Sequence, residues 1–308
     1  MDARIMIEPQ QGTTYDQVVA FATRAEEVGF EGFFTSDHYQ KMGDQSSGLP
    51  GPLDAWTTVT GLARDTERIT LGTLVSPITF HNPGQLAIRV SQIDHMSSGR
   101  VQLGLGAGWY EDEHTSYGID FPPILERFEH LSEALEIITG LWSTSEGDTF
   151  NFEGEHYTLV DSPALPKPRQ RPAPPIIIGG IGKRITPRLA SRFANEFNVA
   201  FHSPDEWLAA CGPTVEACEA RERDPETLIW SAAQVVAVGA NEAEFSRRAS
   251  AIGRETSELR QNGVAGIAEE ALSRIEQFKE AGCDRLYYQC LDLNDLDQLN
   301  ELAEILEL

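Results

Sequence analysis

The sequence comprises 308 residues, 41% hydrophobic and 23% charged, enough apolar material for a substantial core. Acidic residues number 48 against 24 basic, a formal net charge of −24, which argues against nucleic acid or an anionic membrane as partner. No apolar run reaches the roughly 18 residues a membrane helix needs, and the apolar stretch after Met1-Asp2-Ala3-Arg4 is too short for a signal peptide, so a cytoplasmic location is expected.

Apolar runs of strand length alternate with amphipathic helical patterns along the chain, the order that marks βαβ units. The strand runs lie at 5–8, 32–35, 69–75, 101–105, 175–178, 196–200, 228–238 and 285–289. Between the first two, Val18, Phe21, Ala22, Ala25 and Val28 fall at helical spacing, and Gly29 stands where a helix would stop. Further helices are expected over 52–64, 84–96, 124–141, 186–193, 204–221, 243–253, 268–281 and 295–306. Residues 148–159 read as a β-hairpin, with Phe150 and Phe152 alternating before a turn at Glu153-Gly154, and the proline-rich 163–175 as an extended connector. The pattern predicts an α/β fold, a (β/α)₈ TIM barrel forming a single domain over 1–308, with an insertion at about 142–175. A doubly wound sheet is the alternative. Cys211, Cys218, Cys283 and Cys290 show no redox or zinc spacing and are expected to be reduced structural thiols. The acidic chain has lysine only at positions 41, 167, 183 and 279, a balance that resembles proteins of salt-loving organisms.

Catalytic groups of such barrels sit just past the C-terminal ends of the strands. The first strand ends in Glu8-Pro9-Gln10, without the His-x-His of a metal-dependent barrel hydrolase, and no histidine–carboxylate set has ligand spacing, so no metal is expected. After the second comes Ser36-Asp37-His38-Tyr39, where an adjacent carboxylate and imidazole could serve as an acid/base or cofactor-contacting pair, or equally as a solvated histidine beside a helix cap. After the third, an apolar loop leads to His81-Asn82-Pro83, in which His81 reads as a hydrogen-bonded structural residue. After the fourth, Gly104-Leu105-Gly106-Ala107-Gly108-Trp109 allows close backbone approach by a flat or phosphorylated ligand, or marks a strand squeezed by its neighbour. After the fifth, Gly179-Gly180-Ile181-Gly182-Lys183-Arg184 precedes a helix, and its backbone N–H groups and two cations suit a phosphate.

Taken in order, Ser36-Asp37-His38, Leu71-Gly72-Thr73 with Thr79 to Pro83, Gly104 to Trp109, Glu126-Arg127-Phe128 and Ile178-Gly179-Gly180 resemble the luciferase-like oxidoreductases over nearly the whole chain. The resemblance implies a TIM barrel that binds either FMN or the deazaflavin coenzyme F420, and the Asp37-His38 pair looks like the F420 branch. It implies a cis peptide at Leu74-Val75, forming a bulge that backs the ring. It implies His38 against the reacting centre as the catalytic residue, and Asp37 against the ring or its linking hydroxyls. Gly106, Ala107 and Gly108, with Gly179, Gly180, Ile181 and Gly182, would bind the phosphate region. A deazaflavin has carbon where flavin has its reactive nitrogen, so the implied chemistry is hydride transfer to or from a small organic substrate. The alternatives are an FMN-dependent monooxygenase and a catalytically silent coenzyme-binding barrel. Sugar-phosphate dehydrogenases of this branch carry a glutamate at the position of Trp109 and an aromatic at that of Met42, so glucose 6-phosphate is not the expected substrate. Glu111 and Glu113 read as inert residues of a surface helix. A homodimer is expected by analogy.

Overall fold

The computed structural model describes residues 1–43 and 48–308. In chain order the strands are β1 (Asp2–Ile7), β2 (Gly32–Thr35), β3 (Thr70–Thr73), β4 (Ser76–Pro77), β5 (Val101–Gly106), β6 (Phe150–Glu153), β7 (Thr158–Ser162), β8 (Ile176–Gly179), β9 (Glu196–Ala200), β10 (Ile229–Gly239), β11 (Val264–Ile267) and β12 (Arg285–Cys290). The helices are α1 (Tyr15–Glu27), α2 (Ala55–Asp65), α3 (Pro83–Met96), α4 (Glu111–Tyr117), α5 (Ile124–Ser143), α6 (Ile185–Phe193), α7 (Pro204–Glu219), α8 (Glu242–Ala251), α9 (Thr256–Asn262), α10 (Ala268–Glu280) and α11 (Leu296–Leu306).

The sheet runs β10-β12-β1-β2-β3-β5-β8-β9, every pairing is parallel, and β9 pairs back onto β10. That last pairing, Ile229 with Glu196 through Ala233 with Ala200, closes the ring. The result is the expected (β/α)₈ barrel, and the open doubly wound sheet is ruled out. Strands covered on both faces read as near-continuous apolar runs. Ile5 and Ile7 pack outward with Val18, Phe21 and Ala22 of α1 in the large core cluster. Met6, Phe34, Leu74, Ile177, Ala233 and Tyr287 form a separate inner layer inside the barrel. Helix starts carry their own signals: Thr14 and Ser203 each make a capping box with a residue three positions on. Among the described residues no helix is long and apolar enough to cross a membrane.

The insertion forms the expected hairpin, β6 against β7, with Phe150, Phe152 and Tyr157 packed on the core. Two elements were not legible. The distal end of β10 leaves the ring and pairs with β11, Val236 opposite Val264, after the short helix α9. All four cysteines are free and buried. Burial pushes the Cys211 and Cys283 thiols up to about 12, so little thiolate forms near neutrality.

Gly104 realises the squeezed-strand reading. A Cβ there would run into the Thr73 carbonyl oxygen and lie 2.9 Å from Val75 Cγ1. Backbone cannot yield as a side-chain tip can, so Gly104→Ala is expected to cost about 1–3 kcal/mol. Urea unfolding would read this as a lower midpoint at an unchanged slope; an unshifted midpoint would refute it.

Candidate active site at the barrel mouth

A cavity of about 600 Å³ opens at the C-terminal ends of the strands. His38, immediately after β2, is on its wall. Its Nδ1 lies 2.8 Å from Glu113 Oε1, and the other Glu113 oxygen accepts the Tyr39 N–H at 2.9 Å. Glu113, expected to be an inert surface residue, is 1% exposed and lines the same cavity. It sits in the first turn of α4, with His114 buried beside it. His114 Nδ1 bonds to the Tyr110 carbonyl and its Nε2 to Thr79 Oγ1, which anchors the helix against the loop after β4. A carboxylate on Nδ1 fixes that nitrogen as the protonated one in the neutral ring, leaving Nε2 with its lone pair. Trp109 packs edge-on to His38 at 5.8 Å between ring centres and stacks on Tyr110 at 5.3 Å.

Asp37 lies behind the wall that His38 lines. It is 1% exposed and is not among the cavity-lining residues. Its Oδ2 accepts from Ser76 Oγ at 2.5 Å and bonds His81 Nε2 at 2.9 Å, while Oδ1 has no partner. His81 is the hydrogen-bonded structural residue the sequence suggested. Ser76 also accepts from Trp56 Nε1 at 3.0 Å, so Asp37 ties the strand-three loop to α2.

The Leu74-Val75 peptide is cis, and both residues line the cavity. It interrupts the expected strand between β3 and β4, which both pair with β5. Gly106, Ala107 and Gly108 line one side. Gly108 has φ +79, a conformation that suits glycine, and its carbonyl accepts from Arg127. Gly179, Gly180, Ile181 and Gly182 line another side, with Gly180 at φ +130. A side chain at Gly182 would collide with Thr186 Oγ1 at the start of α6. Lys183 and Arg184 follow, both exposed.

Glu8 also reaches the cavity, its carboxylate held by Gln11 at 2.9 Å and Gln289 at 2.7 Å. Asn198, Phe201 and His202 line it from the end of β9 and were not singled out in the sequence. The 196–200 run carried only an apolar strand signal. Among the described lining residues there is no lysine or arginine; the ionisable ones are Glu8, His38, Glu113 and His202. Tyr39, behind the wall, has its phenol pushed well above the ordinary range, first by burial and then by the carboxylates of Asp37 and Asp54.

Residues 2–287 match the family model described as luciferase-like monooxygenase. The chain belongs to this family. An F420-dependent glucose-6-phosphate dehydrogenase of Amycolatopsis mediterranei is 36% identical over 164 residues, covering 53% of this chain and 47% of that one. Its counterpart in Microbacterium testaceum is 37% identical over 183 residues, covering 59% and 52%. The match thus spans about half the length of these curated relatives. Among solved structures, an F420-dependent secondary alcohol dehydrogenase with an F420-acetone adduct superposes with TM-score 0.85 at 19% identity, covering 99% of this chain and 97% of that one. A monooxygenase from Streptomyces bottropensis superposes with TM-score 0.82 at 20% identity, covering 100% and 99%. At such identities these two likenesses establish the fold.

Proposed function

We propose that this luciferase-like protein is a coenzyme F420-dependent oxidoreductase acting on a small organic substrate. The observation that carries the reading is the His38–Glu113 pair on the wall of a cavity with two glycine-lined sides. The cavity fits a flat conjugated ring. Its wall at Leu74 and Val75 is apolar, and backbone lines two sides where side chains would take the room. The exposed Lys183 and Arg184, beside glycine N–H groups and before α6, suit an anionic tail.

When bound, F420 would supply the hydride acceptor or donor. His38 Nε2 takes the proton from a substrate hydroxyl, or returns it to a carbonyl oxygen, as the hydride moves. Glu113 holds the ring in the tautomer that permits this and stabilises the imidazolium that results. Leu74, Val75, Gly106, Ala107, Gly108, Gly179, Gly180, Ile181 and Gly182, which line the cavity, would hold the coenzyme. Asp37 acts through Ser76 and His81, keeping the loop after β3 in place.

The substrate is uncharged rather than phosphorylated. Glu8 and Glu113 face the cavity, and among the described lining residues no lysine or arginine offsets them. The acidic surface fits a salt-rich cytoplasm, where counter-ions screen the self-repulsion.

Titration of the purified protein with oxidised F420, and separately with FMN, in high-potassium buffer tests the coenzyme. Tight F420 binding with weak FMN binding is the expected result. The reverse, with oxygen consumption coupled to reduced FMN, would make the protein a monooxygenase. Tight F420 binding without turnover over a broad alcohol and ketone panel would make it a silent binding barrel.

A further inference from the structure

On the far side of α5 lies a second cluster of ionisable side chains. Helix α5 turns about 100° per residue, so Ile124, Phe128 and Leu131 share the face that lines the cavity, while Glu126 and His130 fall on the reverse. Against that reverse face rests the β6–β7 hairpin, whose turn carries His156. One ligand atom each from Glu126, His130 and His156 all fall within 4.8 Å of one another. We propose that these three residues bind a divalent cation of the zinc class, tying the hairpin to α5.

The cluster is held in place by residues that are not themselves ligands. Glu133, one turn along α5, accepts the backbone N–H groups of Glu155 at 2.7 Å, His156 at 3.1 Å and Tyr157 at 3.0 Å. That fixes the turn from which His156 projects. His130 Nδ1 is 2.9 Å from the Tyr157 hydroxyl. With Nδ1–H donating to the phenolic oxygen, Nε2 keeps its lone pair, and it already lies 3.9 Å from Glu126 Oε1. The two imidazoles stack at 4.0 Å between ring centres and 24° between planes. Glu129, 3.3 Å from His156 Nε2, adds a further carboxylate.

Two imidazoles and a carboxylate select a borderline transition ion over calcium or magnesium, which prefer all-oxygen shells. Tetrahedral zinc with bonds of about 2.1 Å sets its ligand atoms roughly 3.4 Å apart. Binding requires the two stacked rings to tilt until both lone pairs converge on one point, and all three residues are partly exposed, leaving room for that rotation and a path for the ion. The spacing is invisible in the sequence because His156 is 26 residues beyond His130 and meets it only through the hairpin. The expectation of no metal rested on local spacing alone. This inference does not depend on which coenzyme the cavity takes.

The test is equilibrium dialysis of the metal-stripped full chain against Zn²⁺, with Co²⁺ as an absorbing substitute. One ion per chain is expected, with a visible Co²⁺ ligand-field band, a thermal midpoint that rises with Zn²⁺ and its reversal by a chelator. His130→Ala and His156→Ala should each weaken binding by at least about tenfold. If either variant fails to fold, Glu126→Gln, on a side chain 45% exposed, must show the weakened binding instead. Failure to bind Zn²⁺ stoichiometrically, undiminished affinity in the folded variants, or displacement of Zn²⁺ by equimolar Ca²⁺ would each overturn the proposal.

Discussion

His38→Ala is expected to lower kcat by roughly 10²–10⁴-fold, the contribution of a positioned general acid–base group. F420 affinity should change little, because His38 is one of many groups on a wall built mainly of backbone and apolar side chains. Glu113→Gln separates the two partners of the pair. A glutamine can still accept from His38 Nδ1–H through its one carbonyl oxygen, which keeps the ring oriented, but its NH2 cannot accept from Tyr39 N–H. What it lacks is the negative charge that stabilises an imidazolium as the proton moves. The expected outcome is a kcat loss smaller than that of His38→Ala, with KM nearly unchanged. Steady-state kinetics on the best alcohol from the panel would measure both. Unchanged turnover in His38→Ala would remove His38 from the reaction, and a Glu113→Gln loss confined to KM would leave the carboxylate with binding alone.

The second large effect lies at the opposite end of the barrel. Arg285 on β12 pairs with Glu196 on β9 and, at 2.7 Å, with Asp2 on β1. Tyr287 donates to the same Glu196 at 2.8 Å, and Arg4 bonds both Asp2 and Gln102. Burial works against the Arg285 cation, but Glu196, Tyr287 and Asp2 outweigh it and hold its charge. Arg285→Met would leave the Glu196 carboxylate, 1% exposed, with only a phenol beside it. Removing one partner of a buried pair costs about 3–5 kcal/mol, whereas replacing both by apolar groups is often neutral. Urea unfolding should therefore show a large loss in Arg285→Met and recovery of most of it in the double variant Arg285→Met with Glu196→Leu. A single-variant loss under about 1 kcal/mol would show the pair to be as dispensable as a surface one.

The barrel was legible because each ring strand is an apolar run bounded by turn residues and followed by an amphipathic helix. β11 was not, since Val264-Ala265-Gly266-Ile267 is four residues with a glycine inside, and its partner is the overlong tail of β10. At the site, glycine clusters at strand ends announced backbone approach, and His38 announced itself by position. Glu113 escaped because Glu111-Asp112-Glu113 looks like a solvated helix start, and its contact with His38 spans 75 residues. The signal available was its neighbour: Tyr110, Glu113 and His114 share one helical face, which an inert surface turn has no need to make aromatic. Asp37 shows in the sequence only as the neighbour of His38; its bonds to Ser76 and His81 span 39 and 44 residues and leave no local signal.

The seam of the ring joins the earliest strand to the latest, with Asp2 and Arg285 in register 283 residues apart. While the chain is being made, β1 can pair with β2 yet keeps its other edge bare until Arg285–Cys290 has left the ribosome. At ~5–20 residues per second that interval is roughly 15–60 s. The Glu8–Gln289 bond on the cavity wall spans the same seam. A nascent chain therefore gains a finished reaction chamber only once β12 is in place, and any ribosome pause in between prolongs the exposure of a sticky edge.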